Sequence, residues 1–585
     1  MSQHRLLGCT FVIALIWVFT QHVTFSSDSV TFLHYAKWLS GTAEISPFWY
    51  LRNPGLPIVL ILTGVTKFNT FIGFMLVQAL FSVGIVGGIY HIVKATQPRF
   101  AILISWLCIF TCVPFIFSTM VTAEQANLFG FCLLIYALVL FTTSQQKKFI
   151  FIAAAANIFL FLLRPNNYYI FIITTCYLAF CSRQQRLRNT VRFLVPYATV
   201  MLLYIVCFGL LKLSHPGLEG MSSVFQGVRA IAYQPYAAGA LGELTDDQNP
   251  NGSNYNLLTA DLVAKYGRKE ATVLLLRASA KAYWHHPHLF TEWIQSIFIA
   301  SANNYTGQML FYPLMLKAPY ILQGESGLKY SKISSENGPA TAAMLQHLSN
   351  YIIKREHIWS EWTPVESFAN FAGRPQDLLT NVFQNPNHVY HAFIWQALDR
   401  EIGPVATSQL FMAAAIEGFK KYPASIMCFV DDLAAYFFGL DVTYKSGARV
   451  MFLPTPGLGE KADSPFLSAN MVQQINNPIF KIPSEFWDNL YLVYGYVWLL
   501  AKVFIFVLAL IGLGLAFKEK LLPVFLLIWA LIMYNALITS VFADPFFRYS
   551  ALTWLLTAVV ALQTCCSLLE NKLPFLRSKK IIREY

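Results

Sequence analysis

Leu6-Leu-Gly-Cys-Thr-Phe-Val-Ile-Ala-Leu-Ile-Trp-Val-Phe-Thr20-Gln-His-Val-Thr-Phe25 carries no charge, and it lies between Arg5 and Ser26-Ser27-Asp28. A helix crosses ~30 Å of hydrocarbon with about 20 mostly apolar residues, so the stretch reads as a membrane crossing. It is long for the apolar part of a signal peptide, and no small-x-small cleavage pattern follows Thr20. Similar runs follow at Thr70–Val93, Phe100–Met120, Ala126–Ser144, Phe149–Leu163, Asn167–Cys181 and Phe193–Leu213. Three more close the chain, at Leu490–Phe517, Leu521–Phe542 and Ser550–Leu569, for ten crossings in all. Leu56–Val65 is too short to span and is expected to lie in the interface or re-enter.

The whole composition agrees. Of 585 residues, 56% are hydrophobic and 12% charged, against roughly 25% charged in soluble domains, which excludes an ordinary soluble protein. The mean hydropathy is +0.50. Aromatics reach 16%, with 49 Phe and 29 Tyr, as suits lipid tails and membrane interfaces.

A net charge of +12 raises the question of a nucleic-acid partner. Its location answers it. With the amino terminus inside, the inner connections hold Arg5, Lys94, Arg99, Lys147, Lys148, Arg183, Arg186, Arg188, Arg192, Lys518 and Lys520. The tail adds Lys572, Arg577, Lys579, Lys580 and Arg583, and the only anions on that side are Glu519, Glu570 and Glu584. The basic excess is therefore the positive-inside signal of a multi-pass protein, and no nucleic acid is expected as a partner.

Three parts follow: a seven-crossing module at 1–213 with a first outer loop at 26–69, an extracytoplasmic domain at 214–488, and three last crossings with a basic tail at 489–585. Inside the outer domain, Pro287–Ser301 and Ala424–Gly439 are apolar, but Glu292 and Asp431-Asp432 make spanning costly. Both are expected to be interfacial helices, each following a helix stopped by proline (Pro287, Pro423). Nine of ten cysteines fall in or at crossings, and Cys428 alone lies outside. An outer domain without a disulfide fits a bacterial inner membrane, with both termini cytoplasmic.

The chemistry-bearing stretch follows the first crossing: Ser26-Ser-Asp28-Ser-Val-Thr-Phe-Leu-His34-Tyr35-Ala-Lys-Trp38-Leu-Ser-Gly41. Ser26 or Ser27 can cap a helix, Phe32, Tyr35 and Leu39 share one face, and Gly41 can end it. That helix is expected at the outer surface. Asp28 at its first turn is equally a helix-start carboxylate or a catalytic one, and the helix dipole favours its ionised form. Trp49-Tyr-Leu-Arg52-Asn-Pro54-Gly-Leu-Pro57 follows. Three more charges stand at outer ends of crossings: Glu124 in Thr122-Ala-Glu-Gln125, Arg164 in Leu163-Arg-Pro-Asn-Asn-Tyr-Tyr169, and Arg548 in Asp544-Pro-Phe-Phe-Arg-Tyr549. Interfacial snorkelling accounts for any one arginine. Acid and cations gathered at one face point to an anionic lipid substrate.

Asp28, the helix to Gly41 and Arg52-Asn-Pro-Gly-Leu-Pro57 resemble the first outer loop of the GT-C membrane glycosyltransferases. The likeness is to the protein O-mannosyltransferase and aminoarabinose-transferase branch. Glu124 resembles that family's acid in the second outer loop, Arg164-Pro165 its Arg-Pro after the fifth crossing, and Arg548-Tyr549 a late Arg-Tyr. The resemblance covers residues 1–213 and, more loosely, 490–560. It implies an all-α, GT-C-like polytopic fold and a polyprenyl-phosphate-linked sugar donor drawn from the membrane lipid. The acceptor, an envelope glycan, lipid or protein, is left unnamed. It further implies Asp28 as base with inversion at the anomeric carbon, and Glu124 assisting it or orienting the acceptor. Arg164, Arg548, Tyr549 and Arg52 would hold the donor phosphate, and His34 and Tyr35 would contact acceptor or sugar. Asp28 stands alone where the oligosaccharyltransferases have an acidic pair. No cofactor is required on the sequence, no residue is assigned to a metal, and a divalent cation is left open.

An O-antigen ligase or polymerase would also gather outward arginines but needs no aspartate after the first crossing. A lipid-linked-glycan transporter would place charges near the bilayer midplane on broken helices, whereas these crossings are almost free of charge. Other signals were set aside. Asp247-Gln-Asn-Pro-Asn-Gly252 begins like a calcium loop, but Leu258 stands where a bidentate Glu is required. Pro287 breaks the spacing a helical zinc site would need in His285-His-Pro-His288.

Overall fold

The computed structural model describes residues 2–25, 27–42, 53–164, 167–182, 185–214, 224–244, 255–302, 335–353, 404–427, 467–477, 479–480, 504–516, 522–542 and 547–572, with a few single residues between 398 and 437. They are helical almost throughout. Among them there is no strand, and an isolated parallel bridge pairs Thr24 with Met120. The helices run α1 (Gln3–Thr20), α2 (Ser27–Leu39), α3 (Gly55–Leu62), α4 (Val65–Phe68), α5 (Ile72–Thr96), α6 (Ala101–Phe110), α7 (Glu124–Ser144), α8 (Lys148–Leu163), α9 (Ile170–Cys181) and α10 (Arg186–Ser214). Then come α11 (Val224–Ala237), α12 (Tyr255–His285), α13 (His288–Ala302), α14 (Pro339–Ile353), α15 (Pro404–Lys421) and α16 (Ala469–Asn476). The last three are α17 (Phe504–Ala516), α18 (Leu522–Phe542) and α19 (Phe547–Lys572).

Among the described residues, four helices are long and apolar enough to cross a membrane: Gln3–Thr20, Ile72–Thr96, Glu124–Ser144 and Arg186–Leu210. Shorter apolar helices hold the other expected positions, including Pro98–Phe110, Lys148–Leu163 and Ile170–Cys181. The expected run Phe100–Met120 is helical only to Phe110. Cys112 turns left-handed at φ 56° and Pro114 follows, so the helix cannot continue. The chain from there to Met120 is instead tied down by its backbone: Thr24 N–H donates to Thr119 O (2.9 Å) and Val121 N–H to Thr24 O (3.1 Å). Gln125, buried on α7, donates to Pro114 O at 2.6 Å and to Ser82 Oγ on α5 at 2.9 Å.

The chain forms two compact units. The first comprises Met1–Ser40, Arg52–Val200 and Leu433–Tyr585. Within it α5 packs on α1 and α7, and α7 on α8, around a core of Ala79, Ile85, Leu134, Ile135, Leu138 and Ile150. The late helix α16 belongs here. Met471 and Ile475 point inward, and Gln474 Oε1 accepts from Phe71 N–H (2.8 Å) at the start of α5. Gln474 O accepts from Val23 N–H (3.2 Å), and Phe480 N–H donates to Phe19 O (2.9 Å).

The second unit comprises Gly41–Leu51 and Met201–Asp432. In it α11 packs on α12, and α14 on α15. α12 bends at Gly267, where φ is 74°. α12 and α15 both stop one or two residues before a proline, Pro287 and Pro423, because the residue before proline is pushed out of the helical region. Glu417 of α15 accepts from Ala340 N–H and Thr341 N–H, both at 2.8 Å, satisfying the open amides at the start of α14.

Candidate functional site

α7 begins with Glu124, and Arg164 is the residue that closes α8. The two helices form an antiparallel pair, so these ends meet. Arg164 Nη2 donates to Glu124 Oε1 at 2.5 Å. The side chains are 17% and 3% exposed, so this is a buried ion pair. Each charge sits at the helix end whose dipole favours its sign, the carboxylate at an N-terminus and the guanidinium at a C-terminus.

Around the pair, side-chain amides close the last turn of α8. Asn53, beside Arg52, donates through Nδ2 to Phe161 O at 2.7 Å. Its Oδ1 accepts from Tyr168 OH at 3.1 Å. Asn167 Nδ2 donates to Leu160 O (2.8 Å) and to Asn127 Oδ1 on α7 (2.7 Å). Tyr197 OH of α10 donates to Tyr168 O at 3.2 Å. Carbonyls in the last turn of α8, Phe161 O and Leu160 O (the latter also accepting from Arg164 N–H at 3.3 Å), thus hold the first outer loop and the loop after Arg164 against the same helix end. Gly55 makes the approach feasible: a Cβ there would stand 2.6 Å from Leu162 O and 2.8 Å from Leu162 C.

α2 joins the same cluster. It ends as the sequence predicts, with Ser40 N–H bonded to Ala36 O (3.0 Å) and Gly41 at φ 74°. Its burial extends beyond the face shared by Phe32, Tyr35 and Leu39. Ser29, Phe32, Leu33, His34, Tyr35, Ala36 and Trp38 are all buried, because aromatic and small residues occupy every side of the helix. Tyr35 stacks at a tilt on Trp38, with ring centroids 5.7 Å apart. Burial, reinforced by the neighbouring Tyr168, pushes the Tyr35 hydroxyl well above the usual tyrosine range. Tyr35 is therefore neutral at any physiological pH, and it stands near Tyr168 of the loop after Arg164.

The sequence-derived residues divide as follows. Glu124 and Arg164 are brought into contact, and Tyr35 is placed beside their loop. His34 is buried on the same helix. Asp28 is the second residue of α2, and Arg548 and Tyr549 fall in the first turn of α19. The side chains of these three lie outside the described residues, as does Arg52 entirely. The backbone still places the start of α19. Gln563 Nε2 bonds to Thr96 Oγ1 (2.7 Å) and Gln97 Nε2 to Ser567 Oγ (2.6 Å), so the later turns of α19 meet the far end of α5. The first turn of α19 therefore looks toward the end of the module that carries Glu124. Asn53, Asn127, Asn167 and Tyr168 had no role in the sequence reading. The one available signal was an amide near the end of an apolar run, as at Asn127.

Among the described residues no group of His, Cys, Asp and Glu is placed to hold a metal ion. His285, His286 and His288 are exposed, and Glu292 accepts from Gln234 Nε2 at 2.8 Å. The Asp247 loop, Cys428 and Asp431-Asp432 lie outside the described residues.

The sequence matches no family profile and no curated protein. Among solved structures it is similar to the archaeal oligosaccharyltransferase AglB from Archaeoglobus fulgidus, solved in complex with an inhibitory peptide and a dolichol-phosphate. Identity is 13% and the TM-score 0.30, over 84% of this chain and 59% of that one. The chain thus spans less than two thirds of that protein's length. At that score the likeness carries no weight for the chemistry, which rests on the residues themselves.

Proposed function

We propose that this protein is a membrane glycosyltransferase of the GT-C kind, transferring a sugar from a polyprenyl-phosphate donor to an extracytoplasmic acceptor in the bacterial envelope. The observation that supports it most is the meeting of three separate motifs at one end of a helical, apolar module. Arg52-Asn-Pro-Gly, Thr-Ala-Glu124 and Arg164-Pro-Asn-Asn-Tyr are joined there by the Glu124–Arg164 pair and the Asn53–Tyr168 bond.

In this reading an acceptor oxygen attacks the anomeric carbon as the bond from that carbon to the phosphate oxygen breaks. The electron pair leaves with the lipid phosphate, the acceptor proton passes to Asp28, and the anomeric centre inverts. A carboxylate suits the proton transfer. A desolvated, fixed guanidinium suits the charge that builds on the departing phosphate. Arg164 takes that part with Arg548, Tyr549 and Arg52. Glu124 acts through Arg164, holding its guanidinium in place, and is a positioning residue. His34 and Tyr35 border the acceptor side.

The test is turnover by purified protein with polyprenyl-phosphate sugars, wild type against Asp28→Asn and Arg548→Ala. Asp28→Asn is expected to abolish turnover with donor binding retained, and Arg548→Ala to weaken donor binding. Full turnover in Asp28→Asn removes the base and with it the mechanism.

A further inference from the structure

The carboxyl-terminal turns of α10 belong to the second unit and close a candidate membrane span, Arg186–Leu210. They carry an exposed apolar side: Leu202 is 55% exposed, Leu203 59% and Val206 42%. One residue before the span ends, Gly209 lies against α13. A Cβ at Gly209 would stand 2.5 Å from Ile297 O and 2.7 Å from the Ile297 side chain. α13 therefore touches the candidate span at its carboxyl-terminal end.

α13 has two distinct sides. Leu289, Trp293 and Ser296 form one, which is fastened to α11. Trp293 Nε1 donates to Ala230 O (2.9 Å), and Ser296 Oγ donates to Gln234 Oε1 (2.9 Å). Glu292, the acid that argues against spanning, is taken up by Gln234 on the same side. Phe290, Ile294 and Ile297 form the other, about 100° around the helix axis at 100° per residue. Ile297 of that stripe meets α10, while Phe290 (51%) and Ile294 (39%) continue it uncovered. Three residues before Pro287, Trp284 is 83% exposed. Lys281 and the His285-His286 pair are exposed beside it.

We propose that the corner between α12 and α13 seats in the bilayer leaflet at the carboxyl-terminal end of α10. Trp284, Phe290 and Ile294 enter the acyl boundary, and Lys281, His285 and His286 meet anionic lipid phosphates. Three features fit a lipid surface as the occupant. The apolar stripe is continuous with the lipid-facing end of a span. A tryptophan stands at the level where amphipathic rings partition. Basic groups flank the apolar face, as in helices that lie in the interface and bind anionic headgroups. The proposal rests on α10 as a span and is independent of the glycosyltransferase reading.

The test uses the full-length protein in nanodiscs of phosphatidylcholine with and without phosphatidylglycerol, made with plain or shallowly brominated chains. The Trp284 component is the emission difference between wild type and Trp284→Phe, a conservative change at an exposed site. It is expected to fall at least twofold in brominated discs and to resist aqueous acrylamide. Amide exchange over residues 285–294 is expected to slow further when phosphatidylglycerol is present, and Lys281→Glu to remove most of that slowing. A Trp284 component equally bright in both lipids, or freely quenched by acrylamide, overturns the seat. Exchange indifferent to phosphatidylglycerol overturns the headgroup contact. Because no sugar transfer is measured, failure here leaves the proposed activity standing.

Discussion

Neutralising one half of the Glu124–Arg164 pair should cost far more than neutralising both. The carboxylate side chain is 3% exposed and its partner 17%, so water can compensate little for the loss of either charge. At an effective dielectric of about 20, unit charges ~4 Å apart attract by ~4 kcal/mol. Deleting one member of a buried pair typically costs about 3–5 kcal/mol, because the survivor loses its opposite charge where little water can replace it. Glu124→Gln and Arg164→Met are each expected to lower unfolding free energy by about 3–5 kcal/mol in sodium dodecyl sulfate titrations in mixed micelles. The double variant removes both charges and should recover most of that loss. Activity should not recover with it, because the guanidinium itself is the group assigned to the donor phosphate. A Glu124→Gln protein within about 0.5 kcal/mol of wild type would refute the reasoning. Double-variant activity near wild type would refute the phosphate role of Arg164.

Three further outcomes follow from the surrounding structure. Asn53→Ala removes the buried bonds to Phe161 O and Tyr168 OH at once, at roughly 1–3 kcal/mol; Tyr168→Phe should cost about 1 kcal/mol in the same titration. Gly55→Ala drives a methyl into the backbone at Leu162 and should cost about 1–3 kcal/mol in the same titration. Burial pushes the Glu417 carboxyl up, but the Ala340 and Thr341 amides, the Thr341 hydroxyl and Lys420 outweigh it and hold it below 4.5. A carboxylate lowered on folding stabilises above its unfolded pKa and loses that contribution as pH falls through the folded one. Amide exchange at residues 340–343 should therefore quicken below pH 4.5, and Glu417→Gln should show the fast rate already at neutral pH.

Much of the fold could be read because burying apolar side chains in lipid leaves a simple mark along a chain. Long uncharged runs become helices, and the prolines at 287 and 423 and the glycine at 41 end them where backbone geometry says they must. The failure at Phe100–Met120 has a local cause, since hydropathy averages over Cys112 and Pro114 and cannot register a left-handed residue. The extent of burial of α2 was hidden for the opposite reason. Its aromatic residues suit an interface and a protein interior equally, and only the neighbours decide which. In the candidate site, Glu124 and Arg164 were visible as charges out of keeping with their surroundings. The amides were not, because an asparagine that caps a carbonyl on another helix looks like any asparagine in a turn. Which positions a helix end must satisfy is a property of the assembled ends.

The docking of α16 also bears on how the protein is made. Gln474 closes the start of α5 from 403 positions further along the chain, and the ladder at Val23 and Phe19 waits for the same segment. A ribosome adding about 5–20 residues per second delivers it roughly 20–80 s after α5 has entered the bilayer. During that interval the amides at Val23 and Phe71 lack these acceptors, so the packing of the amino-terminal helices is completed only when the late segment arrives.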